Sequence, residues 1–506
     1  MGKVRTPRAS NHRCAVVACL KAVLTNLIEW RCRMSYAPDD GLPIRRTLMA
    51  IVRRLALAML LASATVAAQS NGQSGPQAQG AHDPQKAVEE ARKGAEQGDA
   101  TAQVKLGLMY DYGIGLPKDY AEAVRWYRKA AAQGNAAAQF ELGTMYYDGH
   151  GVTQDYVLAV GWFHKAADQG VALAQANLAT ALSAGRGVPP DQAEAARWFR
   201  KAAEQGNAGA QFELGAMYHY GRGVAQDYTL AIGWFRKAAD QGNAGAQVQL
   251  GNEFQLGRGV QQDSAEAVRW YRKAADQGDS RAQFCLGLMY GSGQGVAQDS
   301  AEAVRWYRKA ADQGDSGGQF GLGLMYGSGQ GVPQDYAEAA GWFRKAADQG
   351  YADAQHNLGF LYNVGQGVPQ DYTEAAKWYR KAADQGYADA QHNLGTLFSK
   401  GQGLPQDFVE AAKWFCKAAD QGNVLAFTKL GMSNELGRGV PQDYVLAHMW
   451  YNPAASRSTG PNRRCPGRSC CQNDIRSGSR SPAARAGVET NCTLTRAQGV
   501  VRKIRS

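Results

Sequence analysis

The sequence predicts an all-α solenoid, an array of about ten helix-turn-helix repeats of 36 residues each. Ten of the 11 tryptophans stand 36 residues apart without insertion, from Trp126 to Trp450. A Gln-Gly pair keeps the same step from Gln97-Gly98 to Gln421-Gly422. Because a single helical hairpin cannot bury its own apolar stripes, tandem copies of this kind stack against one another into a continuous core.

The first helix of a repeat is predicted from an apolar stripe. Ala102, Leu106 and Tyr110 lie at positions i, i+4 and i+8, which places them on one face of a helix. Gly113 is predicted to end this helix, because glycine readily adopts the left-handed conformation found after a helix C-terminus. The segment Gly113-Ile114-Gly115 then forms the turn between the two helices.

The second helix of the repeat begins with a capping pattern. Asp119, followed three residues later by Glu122, is typical of a helix N-terminus. Tyr127 and Ala130 give this helix a buried face, and Gly134 ends it. Small residues beside large aromatic ones predict a core in which helices approach closely.

The order Leu106-Gly107-x-x-Tyr110 resembles the tetratricopeptide-repeat signature, although the period differs. The 36-residue step, the loop Gly293–Val296 and the helix segment Trp306–Ala311 make the chain similar to the Sel-one-like repeat family over about residues 84–455. The resemblance implies a right-handed α/α superhelical solenoid and a role as scaffold or adaptor. The chain lacks the regular cysteines of the disulfide-laddered secreted bacterial members of that family.

The segments before the repeats are predicted to serve export. Two arginines, Arg53 and Arg54, precede an apolar run and the small residues Val66-Ala67-Ala68, so residues 49–68 are interpreted as a signal peptide starting at Met49. Residues 1–48 are then interpreted as a non-native or upstream extension, and residues 69–83 as a flexible leader. This organisation predicts a periplasmic or secreted protein, which associates with a membrane only if the signal segment stays uncleaved.

The two ends of the array differ from its interior. Residues 84–98 are interpreted as an N-terminal capping helix, because Glu90 and Ala91 replace the Trp and Tyr of the next unit. The ten repeats then fill residues 99–455. Residues 456–506 are rich in Arg, Ser, Gly, Pro and Cys without helical period, which predicts a disordered basic tail.

The charge of the chain argues against a nucleic-acid partner. Its net charge of +11 comes from its ends, since residues 1–54 carry 11 basic and 3 acidic groups and residues 456–506 carry 11 and 2. The region between them carries 34 basic and 40 acidic groups. A basic surface on the folded repeats is therefore not expected.

The repeats contain no recognisable catalytic, cofactor or metal motif. The G-x-G segments lie in turns between helices, and the body has no H-E-x-x-H, C-x-x-C or G-x-S-x-G sequence. His356 and His392 share one repeat position, and we interpret them as ordinary surface polarity rather than a metal pair. We therefore predict no catalytic residue, no cofactor and no metal.

A variable face of the first helix is the predicted binding face. It consists of the positions of residues 104, 108 and 111, about 200° round the helix from Ala102. In the tetratricopeptide superfamily this face resembles the concave groove that receives peptides; the same side chains could equally pack against the next repeat. The candidates are Phe140, Thr144, Tyr147, Phe212, His219, Phe284, Leu288, His356, Phe360, Asn363, His392 and Thr396.

These observations predict an exported scaffold that binds a protein or peptide along its concave face. Residues 262–280 recur unchanged at 298–316, which lengthens the array without adding new chemistry. Two alternatives remain open. One is a secreted hydrolase acting on cell-wall or β-lactam-like substrates, as some laddered relatives suggest, and the other is a passive spacer.

Overall fold

A computed structural model describes residues 84–452, which form 21 α-helices and no strand. The chain divides at Gln241 into an N-terminal unit and a C-terminal unit. In the N-terminal unit the helices are α1 Pro84–Glu96, α2 Ala100–Tyr112, α3 Tyr120–Ala132, α4 Ala136–Asp148, α5 Tyr156–Asp168, α6 Ala172–Ala184, α7 Gln192–Glu204, α8 Ala208–Tyr220 and α9 Tyr228–Asp240. In the C-terminal unit they are α10 Ala244–Leu256, α11 Ser264–Asp276, α12 Ser280–Ser292, α13 Ser300–Asp312, α14 Ser316–Ser328, α15 Tyr336–Asp348, α16 Ala352–Val364, α17 Tyr372–Asp384, α18 Ala388–Lys400, α19 Phe408–Asp420, α20 Val424–Leu436 and α21 Tyr444–Tyr451.

Local capping explains why the helices begin and end where they do. Asp119 accepts hydrogen bonds from the backbone N–H groups of Ala121 and Glu122 at the start of α3, as the sequence predicts. Gly113 follows α2 with φ 67°, and its N–H donates to the carbonyl of Met109. Packing as well as backbone conformation requires glycine at the second glycine position of the turn between the two helices of a repeat. A Cβ on Gly151 would lie 2.4 Å from the backbone oxygen of Tyr120 in the preceding repeat.

The core of each unit alternates small and large side chains, as predicted. Tyr127 and Leu106 are fully buried. Gly107 lets α2 and α3 approach, because a Cβ there would lie 2.6 Å from the Tyr127 ring. Within each unit, every repeat packs on its neighbours in this way, which confirms the predicted all-α solenoid of helix-turn-helix repeats.

A pair of glutamines in each of the first nine repeats joins neighbouring helices across the core. Gln355 on α16 is buried, and its Nε2 donates to the carbonyl oxygen of Ala347 on α15 at 3.0 Å. Its Oε1 accepts from Nε2 of Gln385, after α17, at 2.8 Å. The glutamine-to-glutamine hydrogen bond recurs as Gln133 to Gln103, Gln169 to Gln139, Gln205 to Gln175, Gln241 to Gln211, Gln277 to Gln247, Gln313 to Gln283, Gln349 to Gln319 and Gln421 to Gln391.

The ends of the described array pack less completely than its interior. Helix α1 occupies the place predicted for the capping helix, with Glu90 exposed and Ala91 buried against α2. Tyr451 on α21 is 42% exposed, whereas the corresponding side chains of the C-terminal unit, from Tyr271 to Phe415, are at most 4% exposed. The predicted extension 1–48, signal peptide 49–68, leader 69–83 and tail 456–506 lie outside the described residues.

Candidate binding face

The first row of the predicted binding face, at the position of residue 104, lies largely in the core. Phe140 is 6% exposed, and its ring centroid lies 6.0 Å from that of Phe163 on the second helix of the same repeat. Phe212 and Phe284 are half-buried and contact the second helices of their own repeats in the same way. This row therefore contributes mainly to packing, which was one of the two alternatives for these residues.

The second and third rows of this face, at the positions of residues 108 and 111, are more open. In the N-terminal unit Thr144 and Tyr147 are half-buried, while His219 is buried between Tyr220 and Tyr228, with ring centroids 4.5 and 5.2 Å away. In the C-terminal unit the Leu288 side chain is half-buried and Phe360 is 39% exposed. Phe360 is thus the most exposed of the large apolar candidates on this face.

His356 and His392 are linked through an amide that the sequence analysis did not single out. Nδ2 of Asn393 lies 3.1 Å from Nε2 of His356, and its Oδ1 lies 3.2 Å from Nδ1 of His392. The bonded atoms assign the tautomers, because the amide NH₂ donates to His356 and the amide oxygen accepts from His392. Burial lowers the pKa of His392, which favours the neutral form of its ring.

The prediction that His356 belongs to the ordinary polar surface is wrong. This side chain is 2% exposed, and its ring lies 5.7 Å from that of Tyr379 and 5.1 Å from that of Tyr387. The two tyrosines cover it from the second helix of its repeat and from the start of the next one. Among residues 84–452, no group of three or more His, Cys, Asp or Glu side chains is arranged to hold a metal ion.

A small polar cavity of about 150 Å³ opens between α16, α17 and α18 of the C-terminal unit. Two predicted residues, Asn363 and Thr396, line it together. The other lining residues are Tyr372, Tyr379, Asn393, Leu397, Lys400 and Gln402. Of the predicted face, this is where the structure brings side chains from successive repeats into one site.

The lining residues missed by the sequence analysis lie outside the three rows. Asn393 and Lys400 are on α18 at the positions of residues 105 and 112, next to two of the rows, and Tyr372 begins α17. One sequence signal was available for Lys400. It is the lone lysine at its repeat position, which elsewhere carries Tyr, Asp, Ala, Leu, Ser or Val.

The fold and this face define a class of protein, a helical-repeat scaffold of the kind that mediates protein-protein interactions. The Sel1 repeat family matches nine consecutive blocks from residues 100–135 to 388–423, and a further block at 428–458. The chain belongs to the Sel1 repeat family.

Solved structures of repeat proteins are similar to this chain. The chain is 38% identical to a protective antigen present in uropathogenic Escherichia coli strains and displaying an SLR fold; the match covers 72% of this chain and 85% of that one, with a TM-score of 0.53. It is 31% identical to a Sel1 repeat protein from Oxalobacter formigenes over 50% of this chain and 99% of that one, with a TM-score of 0.44. No curated protein matches the chain. Among the helices of residues 84–452, none combines the length and the apolar character that crossing a bilayer requires.

Proposed function

We propose that this chain is an exported scaffold that binds an extended peptide segment of a partner protein along the second and third rows of its binding face. The observation that carries the proposal is the exposure of Phe360, which is 39% exposed on α16, the helix that also contributes Asn363 to the polar cavity. Aromatic side chains at the centre of an interface often supply most of its binding energy. An exposed aromatic side chain on the same face as a polar cavity is therefore a suitable anchor point for a peptide.

The regularity of the repeats supports a non-enzymatic role. Two of the histidines on the face are held by packing and hydrogen bonds rather than aimed at a substrate site, since His219 lies between tyrosine rings and His356 bonds to Asn393. An enzyme needs a unique set of reacting groups, whereas these repeats differ mainly in the shape and polarity of one face. A passive spacer would not require that variation.

Export is proposed from the signal-like segment 49–68. The relative from uropathogenic E. coli is described as a protective antigen, a description that agrees with an exported protein. A periplasmic or secreted scaffold would meet its partners outside the cytoplasm. Its interaction surface would then be the face described above.

The experiment uses a displayed peptide library to select a ligand and then measures the affinity of that ligand by fluorescence polarisation. We expect Phe360→Ser to weaken binding about tenfold or more, because it removes an anchor worth at least about 1.4 kcal/mol. Val409→Ser serves as the matched control, since Val409 is 49% exposed on α19 and lies off the face. Circular dichroism should show both variants folded.

Two results would contradict the proposal. The library could yield no ligand that binds the wild-type chain at micromolar concentrations, or Phe360→Ser could bind the selected ligand as well as Val409→Ser does. Phe284 is less suitable for this test, because it is half-buried and a Cβ on Gly317 in the next repeat would lie 3.1 Å from its ring. Loss of binding in a Phe284 variant could reflect damage to the core.

A further inference from the structure

The binding face of the C-terminal unit has an uneven charge distribution. Across the positions of residues 104, 108, 111 and 112, no Lys, Arg, Asp or Glu occurs from Val248 to Ser399. Lys400 then supplies a positive charge, beside the cavity. A ligand lying along this face therefore meets uncharged side chains up to Lys400, and the next charge in these rows is Glu435 in the following repeat, which accepts a hydrogen bond from Tyr451.

Lys400 and its neighbours have unused hydrogen-bonding capacity. Among residues 84–452, no carboxylate lies within ion-pair distance of Lys400, and the side chains of Asn363 and Gln402 form no hydrogen bond with other described groups. Tyr372 accepts a hydrogen bond from Gln370 at 3.0 Å, which leaves its own hydroxyl hydrogen available to donate. The lining thus offers a cation and several donors but no negative charge.

This set of groups fits a carboxylate. A carboxylate accepts hydrogen bonds at both oxygens and pairs with an ammonium group, so it would satisfy the donors that converge on the cavity. A neutral amide would leave the Lys400 charge without a counterion in the site. The volume of about 150 Å³ is sufficient for a carboxylate and the atoms next to it.

The face before the cavity is shaped to accept apolar side chains close to the backbone. Leu288 and Leu324 are half-buried, and they alternate along the face with Gly291 and Gly327. Packing does not require these two glycines, because a Cβ on Gly291 or Gly327 would come no nearer than 3.5 Å to any neighbouring atom. Glycine within a helix costs up to about 1 kcal/mol of stability relative to alanine. We therefore interpret these two glycines as leaving space for a ligand at the surface of their helices.

The repeat spacing sets a register for the ligand. Packed helices lie about 8–10 Å apart, and an extended peptide advances about 3.3 Å per residue, so one repeat corresponds to about three peptide residues. Apolar side chains at every third position would then reach Leu288, Leu324 and Phe360 in turn. The next step along the face brings the peptide to Lys400 and the cavity.

We propose that the cavity beside Lys400 binds a carboxylate of an extended peptide whose preceding apolar residues, one in every three, lie on the uncharged rows. This inference rests on the proposed peptide-binding function and makes it specific. The carboxylate has two sources, the C-terminus of the partner or an acidic side chain within it. The chemistry recognised at the cavity is the same for both.

The test uses the full chain and three fluorescent nine-residue peptides with leucine at every third position. One ends in a free carboxylate, the second is the same peptide amidated, and the third is amidated but ends in glutamate. We expect the free acid to bind at least tenfold more tightly than the amide and to lose affinity as NaCl is raised. Tight binding of the glutamate peptide as well would show that a side-chain carboxylate also suffices.

The variant Lys400→Met should lower the affinity for the free acid to that for the amide and leave the amide unchanged. Lys377→Met is the matched control, because it removes the same charge from α17 at an exposed position paired with Glu374. Equal affinity of wild type for all three peptides would overturn the carboxylate site while leaving peptide binding intact. If none of the three peptides binds but peptides selected from the library do, the inferred register and the carboxylate site are both wrong. If no peptide of either kind binds, the proposed peptide-binding function is wrong.

Discussion

At the level of individual residues, one buried glutamine in each of the first nine repeats provides a hydrogen-bonded link that an apolar side chain could not supply. Gln355 donates to a backbone carbonyl of the preceding helix and accepts from Gln385. The Ala347 carbonyl also accepts from the N–H of Gly350, and Gln385 also donates to the carbonyl of Gly350, so removing Gln355 deletes two hydrogen bonds without leaving either partner unpaired. The recurrence of the Gln-Gly pair every 36 residues is visible in the sequence. The group to which each glutamine side chain bonds is not.

We expect Gln355→Leu to lower the free energy of unfolding of the chain by about 1–3 kcal/mol, because it removes two hydrogen bonds of the buried Gln355 amide, each worth about 0.5–1.5 kcal/mol. Urea denaturation followed by circular dichroism measures this loss. Gln370→Leu is the control, since Gln370 forms its hydrogen bonds in an exposed turn. An equal effect of both substitutions would show that burial of the link is unimportant.

At the scale of one helix, two glycines on α12 have different roles. A Cβ on Gly287 would lie 2.4 Å from the Tyr307 ring, so this glycine is required for α12 and α13 to approach. A Cβ on Gly291, one helical turn later, would meet its nearest atom, Cε of Met325, at 3.5 Å. In the sequence Gly287 stands at the recurring Leu-Gly position and Gly291 on the variable face, and the packing gives the physical reason for this difference.

The two glycines therefore predict opposite effects on stability. Gly287→Ala should destabilise the chain by about 1–3 kcal/mol through overpacking against Tyr307. Gly291→Ala should stabilise it by up to about 1 kcal/mol, because alanine restricts the unfolded chain and is accommodated without a clash. Parallel urea titrations of the two variants check the sign, and destabilisation by Gly291→Ala would contradict this account.

At the scale of the whole molecule, the repeated hairpins build two units that offer a variable face on a constant core. Positions such as that of Tyr379 are filled by Tyr or Phe in the preceding repeats and are buried there, so they do not distinguish one repeat from another. The side chains of the second and third rows of the binding face, by contrast, differ from one repeat to the next. In the C-terminal unit they pass from leucine and glycine to Phe360 and then to the cavity beside Lys400.

The export proposal also belongs to this scale. We expect the mature protein from its natural source to begin near Gln69, because a signal peptidase would cut after the small residues Val66-Ala67-Ala68. N-terminal sequencing of the native protein measures this directly, with cell fractionation as the companion measurement. A native protein that retains residues from before Met49 would contradict the proposed signal peptide.

The sequence by itself determined the helices, their caps, the 36-residue period and the alternation of small and large core residues. These features follow from local conformational preferences and from an apolar pattern repeated many times. Only the tertiary structure decided which residues of the variable face are available to a ligand. His356 proved to be buried beneath Tyr379 and Tyr387, and Lys400 and Asn363 proved to line one cavity. Such contacts join side chains about a repeat apart in the chain, and their geometry depends on how neighbouring helices stack, which no local pattern specifies.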